Sequence, residues 1–141
     1  MYNRIIEKSI KDSFFKGKII ILYGPRQVGK TTLSKKILSE FNGKSKYIQC
    51  DIPSERGPLL LPEPARIKDY FGDAKLVVID EAQLIQNIGT VLKTLIDTYP
   101  EIQIIATGSS SFDLANKTRE PLTGRAYEFF LYPLSLEEVS T

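Results

Sequence analysis

The chain has 141 residues, 42% hydrophobic and 26% charged, enough to bury the core of one domain without disulfide or metal staples. It contains no His, which excludes Ser-His-Asp and Cys-His triads and every His-ligated metal site. Its lone cysteine, Cys50, excludes an internal disulfide, and the composition fits a reducing, cytoplasmic interior.

A net charge of +2 is too small a bias to point to nucleic acid. No apolar run approaches the roughly 18 residues of a membrane span. The N-terminal stretch MYNRIIEKSIKD carries charges throughout and has no apolar signal core.

In chain order, residues 3–15 predict an amphipathic helix, with Ile6, Ile10 and Phe14 on one face and Ile5 beside them. Residues 18–23 predict a strand buried on both faces, because Ile19, Ile20, Ile21 and Leu22 are continuously apolar. A helix over 29–41 follows, carrying Leu33, Ile37, Leu38 and Phe41 and ended by Asn42-Gly43. Residues 47–50 predict a short strand. Residues 51–64 hold Pro53, Pro58, Pro62 and Pro64 and predict an irregular loop. A short helix over 65–71 precedes a third apolar strand over 76–79. Ile88, Val91, Leu92, Leu95, Ile96 and Tyr99 fit helical spacing, stopped by Pro100. Strands over 102–106 and 127–131 complete the pattern. Apolar strands alternating with helices predict an α/β domain with a mostly parallel sheet. Ligands of such sheets bind outside the carboxyl ends of the strands.

After the first strand stands Gly24-Pro25-Arg26-Gln27-Val28-Gly29-Lys30-Thr31, which has the form G-x-x-x-x-G-K-[ST]. Its glycines let the backbone curl so that N–H groups face phosphate oxygens, and the next helix aims its positive end at the same anion. Lys30 then reaches the β- and γ-phosphates and the Thr31 hydroxyl binds Mg²⁺. A capped turn would explain the glycines but not Lys30-Thr31. The expected nucleotide-binding set is Gly24, Pro25, Arg26, Gln27, Val28, Gly29, Lys30, Thr31 and the adjoining Thr32.

After the third strand stand Asp80 and Glu81, in the run LVVIDEAQ. An acid at that strand end is where a Mg²⁺-binding carboxylate belongs. Glu81 can orient the attacking water and take its proton. Strand ends often carry acids for no catalytic reason, and the P-loop is what favours the functional reading here. After the fourth strand, Thr107-Gly108-Ser109-Ser110-Ser111 offers hydroxyls to a γ-phosphate or water, with Ser109 as candidate sensor. A Gly-Ser turn capping a helix accounts for the segment equally well. Arg125, before the last strand, is either an arginine finger or a salt-bridged side chain.

Taken together, GPRQVGKTT, LVVIDEAQ, ATGSSSFDL, PLTGR and FFLYPLSLEE resemble the N-terminal ATPase domain of a prokaryotic AAA-type family of P-loop ATPases. The resemblance implies a three-layer P-loop fold whose five-stranded parallel sheet runs in the order 5-1-4-3-2. It implies Lys30 and Thr31 at the phosphates and Mg²⁺ of bound ATP or ADP, Asp80 as the Mg²⁺ acid, Glu81 as catalytic base, Ser109 as sensor and Arg125 as the family's Arg. Such families continue into a C-terminal domain. Ser135-Leu136-Glu137-Glu138 is a helix-starting capping box with little chain after it, so a fragment is expected.

The expected activity is Mg²⁺-dependent ATP hydrolysis that drives or switches attached domains; the alternative is a nucleotide-dependent scaffold with little turnover. A small-molecule kinase would need an Arg-rich lid, which the sequence lacks. Asn116-Lys117-Thr118-Arg119 departs from the guanine-reading N-K-x-D at Arg119, and DEAQ alone does not make a two-domain helicase. Adenine is expected to meet apolar or backbone groups. The N-terminal helix with Arg4 either covers the base or only seals the sheet. Arg125 lies at the amino end of its strand. It is expected either to reach the γ-phosphate of a neighbouring copy in a homo-oligomer or to pair locally with Glu120 or Glu128.

Overall fold

The strongest apolar runs of the sequence become the middle of one parallel sheet. A computed structural model describes residues 4–24, 30–109 and 111–131, with only the backbone of Arg4 and residues 111–113. The strands are β1 (Ile19–Tyr23), β2 (Ser45–Gln49), β3 (Leu76–Asp80), β4 (Gln103–Gly108) and β5 (Ala126–Phe130). They pair in the order β2-β3-β4-β1-β5, which is the expected 5-1-4-3-2 seen from the other edge. Every pairing is parallel, with Ile20 opposite Ile105 and Tyr127, and Val78 opposite Tyr47 and Ile105.

Every residue of β1, β3 and β4 is buried, whereas the edge strands β2 and β5 are mostly half-buried or exposed, with Ile48 of β2 the buried exception. Successive side chains point to opposite faces, so the sheet builds two cores. Ile19, Ile21, Val77 and Ile79 face α5 (Ile88–Thr98) and α6 (Ser111–Thr118), meeting Ile88, Val91, Leu92, Leu95 and Leu114. Ile20, Leu22, Leu76 and Val78 face α1 (Arg4–Asp12) and α2 (Lys30–Glu40), meeting Ile10, Leu33 and Ile37. Each such side chain contributes about 1.5–3 kcal/mol by leaving water. β1 is therefore clamped from both faces, which makes it a rigid strand.

Three expectations need correction. Residues 51–64 are not an irregular loop: they contain α3 (Pro53–Arg56) and a 3₁₀ turn, Gly57–Leu59. Prolines start helices as readily as they break them, since the first helical N–H has no internal partner to lose. Pro53, Pro58 and Pro64 each stand at a helical start, the last in α4 (Pro64–Phe71). The N-terminal helix stops at Asp12 rather than at residue 15, because Phe15 turns left-handed at φ 58° and its N–H is taken by Gln103 Oε1 at 2.7 Å. The second strand starts two residues earlier than its apolar core, since Ser45 and Lys46 lie on a solvent-facing edge. The capping box at 135–138 lies outside the described residues.

Charge as well as apolar area fixes α1 on α2. Glu7, 7% exposed, accepts from Lys11 at 2.8 Å and Lys36 at 3.3 Å. Both lysines also hold Glu40, whose carboxyl their hydrogen bonds pull down to about 2.

Candidate functional site

β1 is followed by Gly24, whose N–H bonds the Gly108 carbonyl at 3.1 Å, and α2 begins at Lys30. Pro25, Arg26, Gln27, Val28 and Gly29 lie outside the described residues. α2 carries no acid in its first turn, so no carboxylate of that turn offsets the positive end of the helix. Lys30 is only 5% exposed and points along the sheet's carboxyl edge. Its Nζ lies 2.5 Å from Glu81 Oε1 and 4.0 Å from Asp80 Oδ1.

Asp80 is the last residue of β3, and its neighbours on both sides supply donors. From β4, Thr107 Oγ1 donates to Asp80 Oδ1 at 2.5 Å; from β2, the Tyr47 hydroxyl donates to Oδ2, also at 2.5 Å. Thr31 Oγ1 approaches the same Oδ2 at 3.4 Å. Burial, then the Asp80 carboxylate, push the Tyr47 phenol up, so it stays a donor.

Immediately after β3 the backbone of Glu81 turns left-handed (φ 56°, ψ 46°). That conformation is uncommon for a residue other than Gly and is found where a site over-determines it. It turns the carboxylate back over the sheet end, while its own N–H bonds Thr107 Oγ1 at 3.3 Å. Glu81 Oε2 accepts from Ser109 Oγ at 2.8 Å and from Gln83 Nε2 at 3.1 Å. Burial pushes the Glu81 carboxyl up, but the hydrogen bonds from Lys30 and Ser109 outweigh it and hold the group below its ordinary value. Glu81 is therefore a carboxylate at neutral pH.

Of the expected residues, the structure gathers Lys30, Thr31, Asp80, Glu81 and Ser109 at one place. Thr32 is exposed on α2. Arg125 is elsewhere. Its carbonyl accepts from Ile19 N–H at 2.8 Å, at the amino rim of the sheet, opposite the site. Its Nε donates to Asp97 Oδ1 at 2.9 Å, not to the expected Glu120 or Glu128. Glu128 is already held by Arg119 Nε at 3.2 Å and by the Tyr23 hydroxyl, whose phenol burial helps push up to about 12.

Three participants had no assigned role in the sequence. Tyr47 could not be found there, since only the β2–β3 register brings it to Asp80. Gln83 had the signal of its place two residues after Glu81. Lys117, from the departed N-K-x-D look-alike, donates to the Gln83 carbonyl at 2.5 Å.

A family model described as an AAA domain matches residues 16–140. The chain belongs to the AAA domain family. Over 137 residues this AAA domain is 31% identical to uncharacterized proteins of Mycobacterium bovis and Mycobacterium tuberculosis, covering 94% of this chain and 29% of theirs. It thus spans under a third of the length of those curated relatives. Among solved structures, a Walker-type ATPase of Pyrococcus abyssi matches with TM-score 0.69 and 21% identity, over 98% of this chain and 55% of that one. Domain III of the Thermotoga maritima replication initiation protein DnaA matches with TM-score 0.62 and 14% identity, over 95% of this chain and 62% of that one. A katanin solved to explain self-assembly matches with TM-score 0.55 and 18% identity, over 92% of this chain and 50% of that one. These likenesses show the P-loop NTPase fold, and family membership supports a nucleotide-binding, ATPase-type function for the AAA domain.

The residues present fit a hard divalent cation. Two carboxylates against one ammonium leave the cluster one negative charge in excess, and the oxygens of Asp80 and Thr31 are the donor type Mg²⁺ prefers. Among the described residues no helix is long and apolar enough to cross a membrane.

Proposed function

We propose that this AAA domain binds Mg²⁺-ATP at the carboxyl ends of β1 and β3 and hydrolyses it to ADP and phosphate. The observation that carries the reading is the meeting of Lys30 with both acids, its Nζ lying within 4.0 Å of a carboxylate oxygen of Asp80 and of Glu81. Residues 24–32 hold the phosphates, and Lys30 supplies their point charge. Thr31 and Asp80 would hold Mg²⁺, which neutralises charge developing on the phosphoryl oxygens. Glu81 orients a water for attack on the γ-phosphorus and takes its proton as the bond to the β–γ bridging oxygen breaks. Ser109, already bonded to Glu81, senses the γ-phosphate side of the site. Lys30→Ala tests the binding half: calorimetry should show ATP affinity lost in a protein that still folds, and equal affinity would refute it.

The 2.5 Å contact between Lys30 and Glu81 supports the second reading, a nucleotide-dependent switch with little turnover, because the base's Oε1 is held by the ammonium. Single-turnover rate measured beside nucleotide affinity separates the two.

The chain is under a third of its curated relatives' length, which supports a nucleotide cycle that drives or switches attached domains. Dependence on ATP and a lone buried thiol support a cytoplasmic setting. Arg125 acts, in this reading, on the nucleotide of a neighbouring copy in a homo-oligomer. Its place at the far rim bars it from its own site, and an exposed pair such as Arg125–Asp97 is cheaply exchanged. α1 seals the sheet rather than covering adenine, a reading supported by Ile10 and Glu7 packing into the α2 interface.

A further inference from the structure

Gln83 is 8% exposed, and its side chain sits in the wall of the site. Its Nε2 donates to Glu81 Oε2 at 3.1 Å and approaches Ser109 Oγ at 3.3 Å. With Ser109 at 2.8 Å, Glu81 Oε2 thus has two donors, which turns Oε1 toward Lys30. We propose that Gln83 is a positioning residue that fixes the rotation of the Glu81 carboxylate by holding Oε2, so that Oε1 receives the proton from water once the Lys30 ammonium has turned from it to the phosphates. The proposal rests on the reading of Glu81 as general base.

Three observations separate this from ordinary filling of space. First, Gln83 Oε1 is buried with no hydrogen-bond partner among the described residues. A buried orphan acceptor is unfavourable. Turning the amide over would put that oxygen against the Glu81 carboxylate and remove a donor, so the orientation serves Glu81 at the expense of the amide.

Second, the amide is given its room. A Cβ on Gly108 would come within 2.8 Å of Gln83 Oε1 and 2.7 Å of Leu114 Cδ2. Only Gly at the end of β4 lets the side chain lie there.

Third, the backbone of Gln83 is anchored from outside the site. Lys117 on α6 donates to its carbonyl, and α6 is seated on α5 at Gly89, where a Cβ would fall 2.0 Å from the Lys117 carbonyl oxygen. The turn Ala82–Leu84 cannot drift without dragging this contact. The alignment of Glu81 is thereby tied to the packing of α6.

The test uses Gln83→Met, which keeps the volume, removes the donor and relieves the orphan acceptor. In the full-length protein, the melting temperature should hold or rise and ATP affinity should stay at the parental value. The single-turnover rate should fall about 10- to 100-fold, as expected for a lost hydrogen bond to a charged group. Gln83→Glu, which sets a like charge beside Glu81, should fall further. In the Glu81→Gln background, Gln83→Met should cost nothing more, because the residue acts only through that carboxylate. A parental rate for Gln83→Met while Glu81→Gln is inactive overturns the positioning role and leaves the base assignment standing. An equal loss in both backgrounds overturns it too, since Gln83 would then act independently of Glu81. A parental rate for Glu81→Gln itself overturns both.

Discussion

Besides the phosphate contact proposed for it, Lys30 is the cation set against Asp80 and Glu81, and its removal should expose that second role. Lys30→Ala leaves the carboxylates of Asp80 and Glu81 nearly buried and without their only close cation among the described residues, at 4.0 and 2.5 Å. Breaking a buried pair from one side costs about 3–5 kcal/mol. The lower end applies, because Asp80 keeps its donors Tyr47 and Thr107 and Glu81 keeps Ser109 and Gln83. About 3 kcal/mol in a domain of this size lowers the melting temperature by roughly 10–15 °C and still leaves it folded. The loss should also depend on pH. In the parent, Lys30 and Ser109 hold the Glu81 carboxyl below its ordinary value against burial. Without Lys30 the largest lowering influence is gone and burial pushes the carboxyl up. A carboxyl raised above its unfolded value stabilises the fold at low pH and loses that contribution as pH rises through it. The stability gap between parent and Lys30→Ala should therefore be wider at pH 8 than at pH 5, in urea titrations without nucleotide. A gap that is absent, or the same at both pH values, would refute the charge argument.

Tyr47→Phe removes the donor to Asp80 Oδ2 and should cost about 1–2 kcal/mol of stability in the same titrations; no loss would show that the register-borne contact carries nothing. Cys50 is fully buried and its thiol is pushed up to about 12, first by burial and then by Asp80, so alkylation at pH 8 should proceed only through unfolding, at a rate that rises with urea; rapid labelling of the native protein would contradict that burial. Mixed full-length subunits, one Lys30→Ala and the other Arg125→Ala, should regain ATP hydrolysis neither has alone; co-assembled mixtures that stay inactive would leave Arg125 with its Asp97 pair only.

The sheet was legible because β1, β3 and β4 are apolar without interruption, and only strands buried on both faces read that way. The meeting of Lys30 and Thr31 with Asp80 and Glu81 was legible because short contiguous motifs mark these residues at strand ends on one edge of the sheet. What stayed hidden depends on register and approach. Tyr47 is 33 residues from Asp80 and reaches it only because Gln49 pairs with Asp80 across the edge. Asp97 reaches Arg125 from the end of α5, a contact that no local pattern encodes, and the nearer acids Glu120 and Glu128 misled. The helical turns at 53–59 are not legible because a high density of proline reads as a breaker, whereas Pro53 and Pro58 stand at helical starts.

The most direct test of Glu81 as general base is single-turnover hydrolysis of Mg²⁺-ATP by Glu81→Gln in the full-length protein, beside its ATP affinity. The amide keeps the shape of the carboxylate but cannot take the proton. The rate should fall about 10²–10⁴-fold while affinity stays within a few-fold of the parent. Hydrolysis at the parental rate would contradict the assignment and reduce Glu81 to a partner of Lys30 in the wall of the site.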